Sequence, residues 1–275
     1  MSTVAHISVR RRLRRTPSGV IGPPTEEIQM RVVVAGATGR IGSRAVASLR
    51  DHGVKVVPVS RGEGVDVTTG RGLDQALRAA EVVVDVTDAP SRDPETGTEF
   101  FTSATGNLLK AATAAGVEHY VALSVVGADR IGSGYFRAKA AQEDLVRHST
   151  VPYSLVRATP FHESVEAVAT AGTRTDGVRV PPLLLRPVST DDVAAALAHV
   201  AVGLPLFGVL EAAGPEELRL EEATSELLTT LGRPGPVIAD ARAPFFGAVL
   251  EKRALLPGPN AHSGHHTFTQ WLRSR

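Results

Sequence analysis

Tyr135 and Lys139 stand four apart in a stretch that reads as a helix, so they share one face and converge on one bound molecule. A phenol is a poor acid-base catalyst at neutral pH until its pKa is lowered, and a neighbouring ammonium favours the phenolate. Ser124, at the end of the preceding predicted strand, adds a hydroxyl able to donate to a substrate oxygen. The chain has no cysteine, which excludes thiolate nucleophiles, disulfides and Cys-based zinc sites; redox chemistry would have to come from a bound cofactor.

A second constellation says what that cofactor would be. The run Val34-Ala35-Gly36-Ala37-Thr38-Gly39-Arg40-Ile41-Gly42 joins a predicted strand to a predicted helix, the context that gives a glycine pattern meaning. Gly36 permits a tight exit from the strand, Gly39 removes the Cβ that would block a pyrophosphate, and Gly42 lets helix and strand pack closely. The amides at the helix start then face the anion. The second strand ends Ser60-Arg61, and an arginine there meets an adenosine 2′-phosphate where a carboxylate would pair with a ribose hydroxyl. Arg40 offers a second guanidinium, a planar fork suited to phosphate. The expected cofactor is therefore NADP (NADPH) rather than NAD, with Lys139 also within reach of the nicotinamide ribose.

These residues need elements to hold them. β-branched runs at 31–35, 54–60, 82–87, 119–124 and 154–157 alternate with helical stretches at 41–52, 73–80, 102–115 and 135–148, the pattern of successive βα units and a parallel sheet covered on both faces. Ligands of such sheets bind at the carboxyl ends of the strands, where the glycine turn, Thr87 and Ser124 gather. Beyond residue 158 the repetition loosens, with loops around Pro160 and over 172–182, a helix over 193–202, a strand over 208–212 and a helix over 220–231. The fold class is α/β: a Rossmann-type doubly wound parallel sheet with a small C-terminal substrate lobe. Residues 30–275 make a single domain, with 30–158 the nucleotide-binding core and 159–275 the lobe, some of whose elements return to the core.

At 275 residues and 43% hydrophobic, the chain can bury a sizeable core, and no apolar run reaches the roughly 18 residues of a membrane span. The net charge of +1 is uneven, because Arg10, Arg11, Arg12, Arg14 and Arg15 crowd the first 29 residues. The remainder is mildly acidic and lacks a nucleic-acid footprint. Residues 1–29 read as a disordered extension, since no apolar segment follows the arginines and Pro17, Pro23 and Pro24 break any helix. Met30, immediately before the first strand, is a candidate native start. The protein is expected to be cytoplasmic, with a small-molecule substrate, no membrane or nucleic-acid partner, and an oligomeric state that sequence leaves open.

Lesser candidates complete the reading. Phe161 and His162 follow Pro160 where the lobe begins and are candidate pocket residues. His262, His265 and His266 lie in a Gly/Pro-rich segment without a scaffold, and no metal site is expected. Asp191 and Asp192 read as helix-start residues. Trp271, with Phe268 and Leu272, reads as a terminal helix packed on the body.

The motifs G-A-T-G-R-I-G, S-V-V-G and Y-F-R-A-K, with R-A-T-P-F-H-E, R-P-V-S-T-D-D-V and A-G-P-E further on, resemble an atypical short-chain dehydrogenase/reductase with an NmrA-like NAD(P)-binding domain. The resemblance implies Gly36, Thr38, Gly39, Arg40, Ile41 and Gly42 at the pyrophosphate. It implies Ser60 and Arg61 at the adenosine end, Asp66 and Val67 beside adenine, and Thr87 at the middle of the cofactor. Ser124, Tyr135 and Lys139 match the catalytic triad, with Tyr135 as acid-base residue; regulatory NmrA-like sensors commonly lack that tyrosine. The spacing from Ser124 to Tyr135 is near the short end of the family's range. The expected activity is hydride transfer between NADPH and a small carbonyl, quinone or activated alkene. The alternatives are a non-catalytic NAD(P) sensor and an NAD(P)-dependent epimerase or dehydratase.

Overall fold

Apolar strand residues alternate between two cores. In β1 (Arg31–Ala35), Val32 and Val34 join one buried cluster while Val33 and Ala35 join another, as the two-residue repeat of a pleated strand requires. The computed structural model describes residues 29–275, and the expectations of an N-terminal extension and of Met30 as start fall largely outside them. After β1 come α1 (Arg40–Asp51), β2 (Lys55–Val59), α2 (Leu73–Ala76), β3 (Val82–Asp85), α3 (Pro94–Ala115), β4 (His119–Val125), α4 (Gly134–Arg147) and β5 (Tyr153–Ala158).

The central sheet has seven strands, and all its pairings are parallel. Its order is β12-β9-β5-β4-β3-β1-β2, including β9 (Val209–Ala213) and β12 (His262–Ser263) from the C-terminal part. The chain leaves β1 for β2 on one side and returns to β3 on the other. The order therefore reverses beside β1, where such sheets open a crevice for ligands. This is the Rossmann-type α/β architecture expected.

Between those strands the C-terminal part builds α5 (His162–Gly172), β6 (Thr173–Arg174), β7 (Gly177–Val180), β8 (Leu184–Leu185) and α6 (Thr190–Val202). It continues through β10 (Leu218–Arg219), α7 (Leu220–Thr230), β11 (Val237–Ala239) and α8 (Phe268–Arg273). α6 lies against α1 beneath the main sheet, whereas α5, α7 and α8 enclose a third core with Val165, Leu183, Leu227 and Phe268.

Several boundaries differ from the sequence reading. α3 begins eight residues before the expected 102, because Asp93 caps it by accepting from Thr96 N–H at 2.9 Å and Pro94 takes the first turn. α2 stops at Ala76 instead of Ala80, with Ala79 in the left-handed region at φ 57°. The loop expected around His162 is helix α5, and the loop expected over 172–182 contains a hairpin of β6 and β7.

Candidate functional site

The glycine turn has the geometry its three roles demand. Gly36 has φ +83°, a conformation side chains rarely adopt, and a Cβ on it would stand 2.9 Å from the Val86 carbonyl at the end of β3. A Cβ on Gly42 would fall 2.0 Å from the Gly36 carbonyl, so α1 packs directly on the turn. A Cβ on Gly39 would meet only that same carbonyl, at 3.2 Å. Gly39 is the N-cap of α1 with no side-chain hydrogen bond, and the first turn carries no acidic residue. The first amides of α1 are thus free of any side-chain cap and suited to an anion.

At the end of β2, Ser60 Oγ is buried and without a hydrogen-bond partner among the described residues. A buried hydroxyl costs free energy unless something satisfies it, so an adenosine-end ligand group fits there. Arg61 follows, exposed, on a short 3-10 turn. Arg40 is exposed too, with Nη1 3.7 Å from Glu163 Oε1 at the start of α5. Asp66 accepts from the backbone and side chain of Thr68 at 2.9 and 2.7 Å, and the Thr68 side chain above all holds its carboxyl below the usual range. Val67 C=O accepts from Asn107 Nδ2 of α3 at 3.0 Å. Thr87 is buried, its Oγ donating to Asp85 at 2.6 Å.

The inner face of α4 is polar. Tyr135, Lys139, Gln142 and Glu143 recur at helical spacing and are all buried. The pleat of β4 turns Ser124 to the same side as Tyr120 and Ala122, and there Ser124 Oγ donates to Glu143 at 2.5 Å. Arg157 of β5 donates to both Glu143 oxygens at 2.8 and 2.6 Å and pairs with Asp129 at 2.8 Å. Burial acts to raise the Glu143 carboxyl, but the hydrogen bonds from Arg157 and Ser124 outweigh it and hold the group low.

Lys139 Nζ donates to the Leu123 carbonyl at 2.9 Å and to Gln142 Oε1 at 2.8 Å. Burial pulls its pKa down to about 8 against the pull of nearby carboxylates. Gln142 passes the contact on to Asp85, a fully buried carboxylate that also accepts from Tyr120 at 2.8 Å.

Tyr135 donates to Asp88 Oδ1 at 2.7 Å, and the Arg92 guanidinium lies 4.1 Å from its ring centre. Burial, then the Asp88 charge, raises the phenol well above its ordinary value, with Arg92 opposing. The expectation that Lys139 tunes Tyr135 is therefore corrected. The ammonium stands 5.9 Å from the ring and turns to Leu123 and Gln142, and the cation beside the phenol is Arg92.

The two candidate pocket residues go inward. Phe161 is half-buried against the core shared with α6 and bridges to Val188. His162 is fully buried between Phe268 and Trp271, with Nε2 3.0 Å from the Pro187 carbonyl. Burial lowers its pKa to about 4.

Comparison with known proteins agrees with this architecture. Residues 36–202, more than half of the chain, match the family described as NAD(P)H-binding. The chain belongs to the NAD(P)H-binding family. No curated protein matches it. Among solved structures, this NAD(P)H-binding protein is similar to an NADPH-dependent quinone oxidoreductase from Escherichia coli, at 21% identity over 76% of this chain and 78% of that one, TM-score 0.57. It is also similar to Thermus thermophilus UDP-glucose 4-epimerase in complex with NAD, at 22% identity over 83% and 90%, TM-score 0.65. A third is Citrobacter triphenylmethane reductase complexed with NADP(H), at 17% identity over 77% and 79%, TM-score 0.56. At these identities the likeness is one of fold.

The NAD(P)H-binding chain also uses residues that sequence reading did not single out. Asp85 is the lone charge in the strand Val82–Asp85, and Gln142 and Glu143 lie three and four residues after Lys139. Both signals were readable. Asp88 and Arg92 sit in a connection without periodicity, and nothing in the sequence couples them to Tyr135.

Proposed function

We propose that the protein is an NADPH-dependent oxidoreductase that transfers hydride to or from a small carbonyl, quinone or activated alkene. One observation carries the reading: a buried, neutral phenol and a buried ammonium on one face of α4, at the carboxyl edge of a sheet whose switch point carries the glycine turn. Held above its ordinary pKa, the Tyr135 phenol is protonated at neutral pH, so the proton that the reductive direction needs is in place. It is a weaker acid than a free phenol, and a bound ligand that lowers its pKa would ease the transfer. The nicotinamide cofactor, when bound, supplies the hydride.

The chain's own residues do the rest. First-turn amides of α1 bind the diphosphate. Ser60 and Arg61 take the adenosine end, where Arg61 and Arg40 favour the 2′-phosphate and hence NADPH over NADH. Lys139 reaches the ribose, and Tyr135 gives its proton to the substrate oxygen. Ser124, whose hydroxyl is committed to Glu143, steadies α4 on β4 in this reading. The fold neighbours that reduce quinones and triphenylmethane dyes support the substrate class.

The test is NADPH oxidation with menadione, benzil and cinnamaldehyde. Tyr135→Phe should lower kcat about 100-fold or more while NADPH affinity holds. A second reading, a nucleotide sensor without turnover, is favoured by the engagement of all three side chains: Ser124 with Glu143, Tyr135 with Asp88 and Lys139 with Gln142. Tight NADPH binding with no turnover on the whole panel would select it.

A further inference from the structure

Tyr135 meets its charged neighbours from outside its own helix. Asp88 and Arg92 both belong to the β3–α3 connection, are joined at 3.0 Å, and keep about half of their side-chain surface exposed. The phenol oxygen rests on Asp88 and the guanidinium lies over the ring. Lys139 is the other charged group facing it, at 5.9 Å, while Phe101 of α3 and Phe246 of the lobe present only rings. Asp88 has no part in capping α3, because Asp93 does that. Nor does it hydrogen-bond to the buried network around Asp85, although its charge helps hold the Lys139 ammonium. Asp88 Oδ1 accepts from the phenol, from the Ala89 amide at 3.0 Å and from Arg92 Nη1 at 3.4 Å, its Oδ2 accepts from Arg92 Nη2 at 3.0 Å, and about half of the side chain's surface still meets water.

We propose that Asp88 is a further catalytic residue, the port through which Tyr135 exchanges its proton with solvent, and that Arg92 holds the phenolate between turnovers. The inference rests on the reductase reading above. As hydride adds to the substrate carbon, the electron pair of the reduced bond moves onto the substrate oxygen. The Oη–H bond of Tyr135 breaks and its proton forms the new O–H bond there. The phenolate left behind faces Arg92. Asp88 takes a proton from a solvent acid and passes it to Oη, returning to the carboxylate. One proton enters for each hydride delivered, and oxidation of an alcohol runs the same path outward. A buried phenol with no such port would be reloaded only through the substrate channel.

The experiment has two arms. In the protein without cofactor, ultraviolet titration of the phenols should show one group moving to lower pH in Asp88→Asn, and none moving when the same change is made on Tyr135→Phe. In turnover of NADPH with menadione, benzil or cinnamaldehyde, Asp88→Asn should lower kcat about tenfold to a hundredfold with the NADPH KM unchanged. Asp88→Glu should restore part of the rate, and formate should rescue Asp88→Ala. Arg92→Gln serves as a second variant should Asp88→Asn prove unstable, and should lower kcat with the phenol moving upward. An Asp88→Asn enzyme with wild-type kcat and pH profile overturns the port. So does a phenol titration that Asp88→Asn leaves in place. Failure of the reductase reading looks different: no compound is turned over by the wild-type protein, while the titration still decides whether Asp88 commands the Tyr135 proton.

Discussion

Lys139 is a costly residue to bury. It is 2% exposed and carries two hydrogen bonds for its three protons, so burial lowers its pKa to about 8, against about 10.4 in an unfolded chain. Between those values the unfolded state binds more protons than the folded state. Stability from this group therefore rises as pH climbs from 8 to about 10.4. Replacing Lys139 with Met should flatten that rise, by on the order of 3 kcal/mol at most, in urea unfolding measured at pH 7.5 and pH 10. An unchanged slope would mean the ammonium is not desolvated. Such a lysine suits a role in which a ligand's hydroxyl completes its hydrogen bonds, and nucleotide binding should draw its pKa back up.

α4 seats its polar face on β4 through the Ser124–Glu143 and Lys139–Leu123 hydrogen bonds and on β5 through the Glu143–Arg157 ion pair. Glu143 and Arg157 are 1% and 6% exposed in their side chains, so Glu143→Gln leaves a guanidinium inside with a weakened partner and should cost about 3 kcal/mol. Because the folded Glu143 carboxyl is held low, its contribution is present above the ordinary glutamate value of about 4.3 and is lost as pH falls below it. A melting series from pH 6 to pH 3 should slope less steeply in Glu143→Gln than in the wild type. This element also shows where sequence reading reaches its limit. The four-residue spacing placed Tyr135 and Lys139 on one helix face, and the apolar runs placed the strands, because both follow from local periodicity. The same spacing could not say which cation would reach Tyr135. Arg92 lies 43 residues earlier in a loop, and its approach is set by how α3 and α4 pack. Likewise His162 follows a proline and reads as loop, yet the aromatic residues of α8, over 100 residues later, draw it into the core.

At the scale of the molecule, the C-terminal part is woven back into the sheet. β9 pairs with β5, β12 pairs with β9, and α6 packs on α1. Asp192 at the start of α6 holds the final segment by accepting from the His265 and His266 amides at 3.1 Å. The crevice beside β1 therefore belongs to a structure that forms as a whole, and a ligand bound there stabilises all of it. At a concentration 100 times its Kd, NADPH should add about 2.7 kcal/mol, which for a chain of this size raises Tm by roughly 5 to 10 °C. NADH at the same concentration should raise it less, since Arg61 and Arg40 would face a ribose hydroxyl where a phosphate is expected. Arg61→Ala should bring the two shifts together by lowering that of NADPH, leaving NADH unaffected. Dye-detected melting with each nucleotide measures both. An NADH shift equal to or above that of NADPH in the wild type would reverse the cofactor assignment, and would point to Glu63, on the same short turn as Arg61, as the group that meets the ribose.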